Sequence, residues 1–215
     1  MRVEIWSDVA CPWCYVGMQR FGRAVEEAGV DVDVVYRSFE LDPTVPVDDS
    51  PPLVDYLARK FGDRSRVQAA HARLTSAGAE LGIDFRWEGM RRANTFDAHR
   101  LLGWALHDHG ADRQRALKQR LLRAYFTDGL DVADHGVLAG LAGDIGLDPE
   151  AASALLASDA EADFVRAERD QAYSDGINAV PTFVIEGEWM LQGAHETEKW
   201  VKALSHISGE LAARS

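Results

Sequence analysis

Two periodicities share the first forty residues. Val3 and Ile5 alternate with other positions across residues 2–7, which predicts a strand carrying both on one face. From Tyr15 to Ala28 the spacing becomes helical: Cys14, Met18, Phe21 and Val25 recur at intervals of four, three and four, an inward stripe. Ser7 or Asp8 is placed to cap this helix and Gly29 to end it. Alternation returns at Val32, Val34 and Tyr36, predicting a second strand over 31–39. A right-handed crossover through the helix would set the two strands parallel.

Pro43, Pro46, Pro51 and Pro52 oppose both helix and central strand, so 41–52 reads as a loop. Helical spacing then dominates. Helices are expected from Leu53 to near Gly62, and over 64–81, 95–109, 112–126, 137–145, 149–157 and 160–174. In the helix over 112–126, Leu117, Leu121, Leu122 and Tyr125 share one side. Residues 182–186 are β-rich, Glu186-Gly187-Glu188 can turn the chain, and Trp189-Met190-Leu191 would return as a hairpin. A last amphipathic helix over 196–207 turns Trp200, Val201, Leu204 and Ile207 inward, leaving a polar tail. The order is strand-helix-strand, a block of helices, then strand-strand-helix. Residues 1–50 and 175–215 thus complete one small α/β unit, which an all-helical insertion, 51–174, splits.

Charge narrows the partners. The 215 residues include 23 Lys and Arg against 35 Asp and Glu, a net charge of −12. Such a chain repels phosphate backbones and anionic headgroups, so neither nucleic acid nor membrane is expected as a partner. No window approaches 18 uninterrupted apolar residues, and Met1 to Ile5 lacks the basic and apolar regions of a secretory signal. The expected location is the cytoplasm, where a disulfide is more often catalytic or redox-sensing than structural.

The chain has two cysteines, Cys11 and Cys14, in Cys11-Pro12-Trp13-Cys14. Thiols three residues apart on a first helical turn share a face and can close a disulfide. Unpaired amides at the helix start favour an anion at Cys11, and Pro12 suits the first turn because it gives up no needed N–H. Trp13 would offer an apolar surface beside the sulfur, and Cys14, one turn deeper, would be the resolving thiol. Alone, the pair could equally be structural or half of a zinc site. A bridge over so short a loop constrains little, and zinc would have to recruit ligands such as His107 and His109, so no metal is expected.

The same order of elements, with Val180-Pro181-Thr182 before the third strand, resembles the DsbA family of thioredoxin-fold proteins. Ser7-Asp8, Tyr15-Val16-Gly17, Asn94-Thr95, Ala98-His99 and Gly176-Ile177 extend the resemblance to its FrnE-like cytoplasmic branch. The resemblance implies an α/β thioredoxin fold with a large helical insertion, thiol-disulfide exchange through Cys11 and Cys14, and a cis Pro181 facing them. It implies thiol or disulfide substrates, protein or small molecule, a recycling partner, and no cofactor beyond the cysteine pair, with glutathione as a conceivable co-substrate. A related branch, the 2-hydroxychromene-2-carboxylate isomerases and kappa-class glutathione transferases, has a serine at the first cysteine; keeping both thiols sets this chain apart. A glutathione-dependent isomerase or transferase acting on an aromatic or polyketide-like compound is the alternative reading. Pro12-Trp13 also departs from the Pro-His of the DsbA type member.

Four supporting positions complete the candidate site. Val180, ahead of Pro181, could pair its backbone with an extended substrate. Asp8 is read first as the helix cap and second as an acid able to relay a proton. His99 is either a solvated helix residue or, with Asn94, a cleft residue that binds substrate or shuttles protons. The remaining histidines are read as unpaired surface groups, Arg91-Arg92 as a solvated pair, and Gly193-Ala194-His195 as a strand-to-helix turn.

Overall fold

The computed structural model describes residues 1–47 and 51–214. The expected junction of α/β unit and insertion at 50–51, part of the proline-rich loop and the terminal Ser215 fall outside the described residues. Four strands, β1 (Arg2–Ser7), β2 (Asp33–Ser38), β3 (Thr182–Ile185) and β4 (Trp189–Gln192), form one sheet in the order β2-β1-β3-β4. β1 runs parallel to β2, with Ile5 opposite Tyr36, and antiparallel to β3, with Ile5 opposite Phe183. β3 and β4 form the expected hairpin. Glu186 and Gly187 both take positive φ there, the conformation whose twist matches the flanking strands.

Alternation along β1 divides the two faces. Val3 and Ile5 join the main core, with α1 (Pro12–Ala28) and α9 (Thr197–Arg214) packed on that side. Phe21 meets the rings of Phe183 and Trp200, each at 5.1 Å between centroids. Trp6, one residue out of phase, enters a smaller cluster with Phe39, Ala172 and Ile177.

The intervening chain is helical: α2 (Leu53–Phe61), α3 (Arg64–Ala79), α4 (Phe96–His109), α5 (Ala111–Arg123), α6 (His135–Asp144), α7 (Pro149–Leu156) and α8 (Ala162–Ser174). It closes the β2 edge of the sheet. Gln114 of α5 accepts the Tyr36 N–H and donates to the Tyr36 carbonyl, both at 2.9 Å, while Glu168 of α8 accepts the Ser38 N–H at 2.7 Å. These side chains stand in for a fifth strand on an edge that would otherwise pair with another chain.

Several elements differ by a few residues from their expected bounds, and three of the differences have a visible cause. α5 is followed by a π-helical turn, Ala124–Asp128, that brings Tyr125 round to donate to the Arg91 carbonyl at 2.7 Å. α6 starts at His135 instead of Val137, because the Asp134 carboxylate accepts the Val137 N–H. α9 runs on to Arg214, whose guanidinium reaches Glu188 at 2.7 Å and lies over the Trp189 ring, so the supposed tail is tied to the hairpin. Among the described residues no helix is long and apolar enough to cross a membrane.

Candidate active site

Cys11 is itself the N-cap of α1, correcting the expectation of Ser7 or Asp8. Its Sγ accepts the Cys14 N–H at 3.3 Å, and Pro12 opens the first turn. Sulfur therefore fills the role an oxygen usually takes at the unpaired amides of a helix start. On its other side the Cys11 thiol faces the Val180 carbonyl oxygen at 3.7 Å, and the Val180–Pro181 peptide bond is cis. The Pro181 carbonyl accepts the Gly193 N–H at 2.7 Å, and Thr182 Oγ1 donates to Ala179 O at 2.7 Å, which fixes the loop at the sheet end.

Gly17 lets α1 approach that loop. A Cβ at Gly17 would lie 3.0 Å from Pro181 Cγ and 3.2 Å from Ala194 Cβ. Arg20, one turn on, donates to the Ala194 carbonyl at 2.9 Å and pairs with Glu196 at 2.7 Å. Gly193-Ala194-His195 is thus a turn, as expected, and it also braces the Pro181 loop.

The two thiols are unlinked. Cys14 is wholly buried, Cys11 is 4% exposed, and Trp13 beside them is 36% exposed. Burial pushes the Cys14 thiol well up, and the neighbouring Cys11 sulfur adds to this; Lys118 acts in the opposite direction.

Beneath the pair lies a buried polar cluster. Asp8 accepts the Ala10 N–H at 3.2 Å and the Leu41 N–H at 2.7 Å, so it ties two loops instead of capping α1. His99 Nε2 stands 3.4 Å from Asp8 Oδ1, without hydrogen-bond geometry. Burial alone would raise Asp8, but His99, the Leu41 amide and Lys118 together hold its carboxyl below the usual range. Lys118, fully buried on α5, donates to the Ser7 carbonyl at 3.3 Å. Burial lowers its pKa despite Cys14, Asp8 and Cys11 nearby. Burial raises Glu40, and Asp8 adds to that shift.

Of the residues singled out in the sequence, Cys11, Cys14, Val180 and Pro181 come together, with Pro12 and Trp13 flanking and Asp8 and His99 below. His99 is only 1% exposed, which removes the solvated reading. Asn94 serves the loop: it donates to the Val45 carbonyl at 2.6 Å and accepts the Phe96 N–H at 2.9 Å. Arg92 is not solvated; it bonds Asp42 and stacks on Tyr56. His107 and His135, read as unpaired, face Glu161 at 3.1 Å and Asp97 at 2.6 Å. Lys118 and Glu40 were not foreseen. Lys118 and Gln114 are four residues apart inside the apolar stripe of α5, and polar residues at core positions were the available signal.

Residues 2–205 match the DSBA-like thioredoxin domain family. The chain belongs to that family. A Streptomyces coelicolor protein described as a probable DsbA oxidoreductase is 40% identical, with 98% of this chain and 91% of that one covered and a TM-score of 0.90. The cytosolic disulfide reductase DsbM of Pseudomonas aeruginosa is 20% identical, covering 96% and 98% of the two chains with a TM-score of 0.69. A 2-hydroxychromene-2-carboxylate isomerase is 15% identical over the full length of both, with a TM-score of 0.72. At the last two identities the likeness is one of fold alone. Within this DsbA-like chain no group of three or more His, Cys, Asp and Glu side chains among the described residues could hold a metal ion.

Proposed function

We propose that this DsbA-like chain is a thiol-disulfide oxidoreductase of the FrnE-like branch, with Cys11 as nucleophile and Cys14 as resolving thiol. The observation that carries the reading is the setting of the Cys11 sulfur, on the Cys14 amide at the start of α1 and opposite the Val180 carbonyl. Amides at a helix start favour the thiolate, the form that attacks disulfides. In the reductive direction the Cys11 thiolate bonds to one substrate sulfur, the substrate S–S bond breaks, and a thiolate leaves. Cys14 then loses its proton and attacks the Cys11 sulfur, freeing the second substrate thiol and closing Cys11–Cys14. Two electrons pass from protein to substrate.

The buried cluster supports that second step. Burial keeps Cys14 protonated until it must react, and the Lys118 cation beside it favours the thiolate it then becomes. The Val180 backbone would pair an extended substrate, and Trp13 would supply apolar contact. No cofactor beyond the cysteines is required; glutathione would enter as a co-substrate. The cytosolic reductase among the fold neighbours supports a cytoplasmic setting.

A second reading, glutathione-dependent isomerisation of an aromatic compound, is favoured by the isomerase fold likeness spanning both chains in full. Turnover of a dithiol or disulfide test substrate separates the two. Cys11→Ser abolishes exchange on the first reading. Retained glutathione-dependent isomerisation in that variant would favour the second, and unchanged exchange would sink the first.

A further inference from the structure

α1 meets the chain around β3 and β4 at three levels. At its start the Cys11 sulfur faces the Val180 carbonyl. Further along, Gly17 leaves no room for a Cβ against Pro181 and Ala194. Three residues later Arg20 donates to the Ala194 carbonyl at 2.9 Å. Cys11 and Arg20 are about 13 Å apart along the helix axis. One rigid element thus carries both the nucleophile and the guanidinium that holds the turn beyond Pro181.

Val180 is anchored on both sides while its own backbone stays open. Gln192 Nε2 donates to the Ala179 carbonyl at 3.3 Å, and the Gly193 N–H to the Pro181 carbonyl at 2.7 Å. Among the described residues the Val180 N–H has no acceptor, and its carbonyl meets only the Cys11 thiol. The place of that open backbone therefore depends on Gln192-Gly193-Ala194. This turn in turn depends on Arg20, since no other donor reaches the Ala194 carbonyl among the described residues. Arg20 is 7% exposed, whereas Glu196, which pairs with it at 2.7 Å, is exposed. A buried guanidinium is costly unless its N–H groups find fixed acceptors, so this carbonyl and this carboxylate define where it sits. An apolar side chain at position 20 would fill the space without setting the distance.

We propose that Arg20 is a positioning residue for the exchange of extended disulfides: through Ala194 and Gly193 it holds the Val180 backbone where a bound peptide strand delivers its sulfur to Cys11. The proposal rests on the oxidoreductase reading and names a determinant of its substrate choice. In the step concerned the Cys11 thiolate bonds to one peptide sulfur, the peptide S–S bond breaks, and the other sulfur leaves as a thiolate. Cys14 closes on Cys11 and releases the first sulfur. The peptide gains the two electrons the cysteine pair loses, and the two protons of the pair end on the released sulfurs. A small disulfide without a backbone uses neither the Val180 edge nor its brace.

Single-turnover kinetics of the pre-reduced full chain test this, with an unstructured disulfide-bonded peptide and with 4,4′-dithiodipyridine. In Arg20→Met, with native circular dichroism, the half-saturating peptide concentration should rise about tenfold, the equivalent of one charge-assisted hydrogen bond, while the rate with 4,4′-dithiodipyridine falls less than about threefold. Partial recovery in Arg20→Lys, which keeps one donor for Ala194, supports the hydrogen bond as the cause. An equal change for both probes would make Arg20 structural only, and an unchanged peptide value would remove it from the site; either overturns the proposal. Should Arg20→Met not fold, Glu196→Ala at its exposed position decides: the peptide value should rise about threefold, and no rise overturns the proposal. Fluorescence anisotropy of a labelled peptide with serine at both cysteines reads the pairing without exchange. Its binding to the Cys11→Ser protein should weaken about tenfold when Arg20→Met is added, and unaffected binding overturns the proposal. Should Cys11→Ser react with both disulfides at the native rates, the oxidoreductase reading fails while the anisotropy still judges Arg20.

Discussion

The Cys11 sulfur stands 3.7 Å from the Val180 carbonyl oxygen, although 169 residues separate them. Between them runs the whole helical block. The contact joins the start of α1 to the loop ahead of β3, the two ends that the insertion separates in sequence. A backbone that pairs with Val180 would present its own sulfur over Cys11.

The close approach behind that contact makes two glycines of one helix behave oppositely. Ala in place of Gly gains about 0.5–1 kcal/mol in a helix interior. At Gly22 nothing lies within 4 Å of the added Cβ, so Gly22→Ala should stabilise by that amount. At Gly17 the Cβ meets Pro181 and Ala194, and overpacking of about 1–3 kcal/mol outweighs the gain. Gly17→Ala should lower urea stability by roughly 1 kcal/mol and reduce exchange activity, whereas equal stabilisation by both would deny the steric contact.

Lys118→Met should act on the resolving step. Its cation favours the Cys14 thiolate, so removing it leaves Cys14 harder to deprotonate. Stopped-flow traces should show first attack by Cys11 unchanged and resolution by Cys14 slowed about 10- to 100-fold, with its rise displaced to higher pH. Stability should fall by about 1–3 kcal/mol, because the buried Ser7 carbonyl loses its donor and Asp8 a neighbouring cation. An undisplaced pH profile would reduce Lys118 to packing.

Gln114→Leu would strip the β2 edge of its side-chain partner. The Tyr36 N–H and carbonyl then lie buried and unpaired, at about 1–3 kcal/mol for each group. Chemical unfolding should show a loss of about 2–6 kcal/mol, and a loss under 1 kcal/mol would mean water replaces the amide.

Acid should loosen α2 before the sheet. Burial opposes the shift, but Thr44, Tyr56 and Arg92 hold the Asp42 carboxyl at about 2. A depressed carboxyl contributes its stability in full above its unfolded value, roughly 4, and loses it as pH falls towards 2. Pepsin should therefore cut near Leu57 and Phe61 increasingly between pH 4 and 2, while Asp42→Asn should be cut readily at pH 4 already. Equal resistance of both proteins at pH 4 would show that Asp42 does not anchor α2.

Alternation in Val3 and Ile5, the stripe through Met18 and Phe21, and Glu186-Gly187 made the sheet and α1 legible, because period and turn chemistry report local geometry directly. The thiol pair was legible for the same reason. What periodicity does not report is polar pairing inside the core. Gln114 and Lys118 occupy apolar-stripe positions, and only the folded chain shows their partners to be the Tyr36 backbone and the Ser7 carbonyl. Cys11 escaped as a cap because oxygen side chains usually fill that place. Arg92 escaped because its partners, Asp42 and Tyr56, lie 50 and 36 positions earlier in the chain.

The sharpest test is to trap the covalent intermediate. Cys14→Ser protein, incubated with a disulfide-bonded peptide and measured by intact mass, should gain one peptide thiol, located on Cys11 by fragmentation. Cys11→Ser should gain none. A Cys14→Ser protein that keeps its mass, or a peptide adduct on Cys14 in the Cys11→Ser protein at the same rate, would contradict Cys11 as the nucleophile.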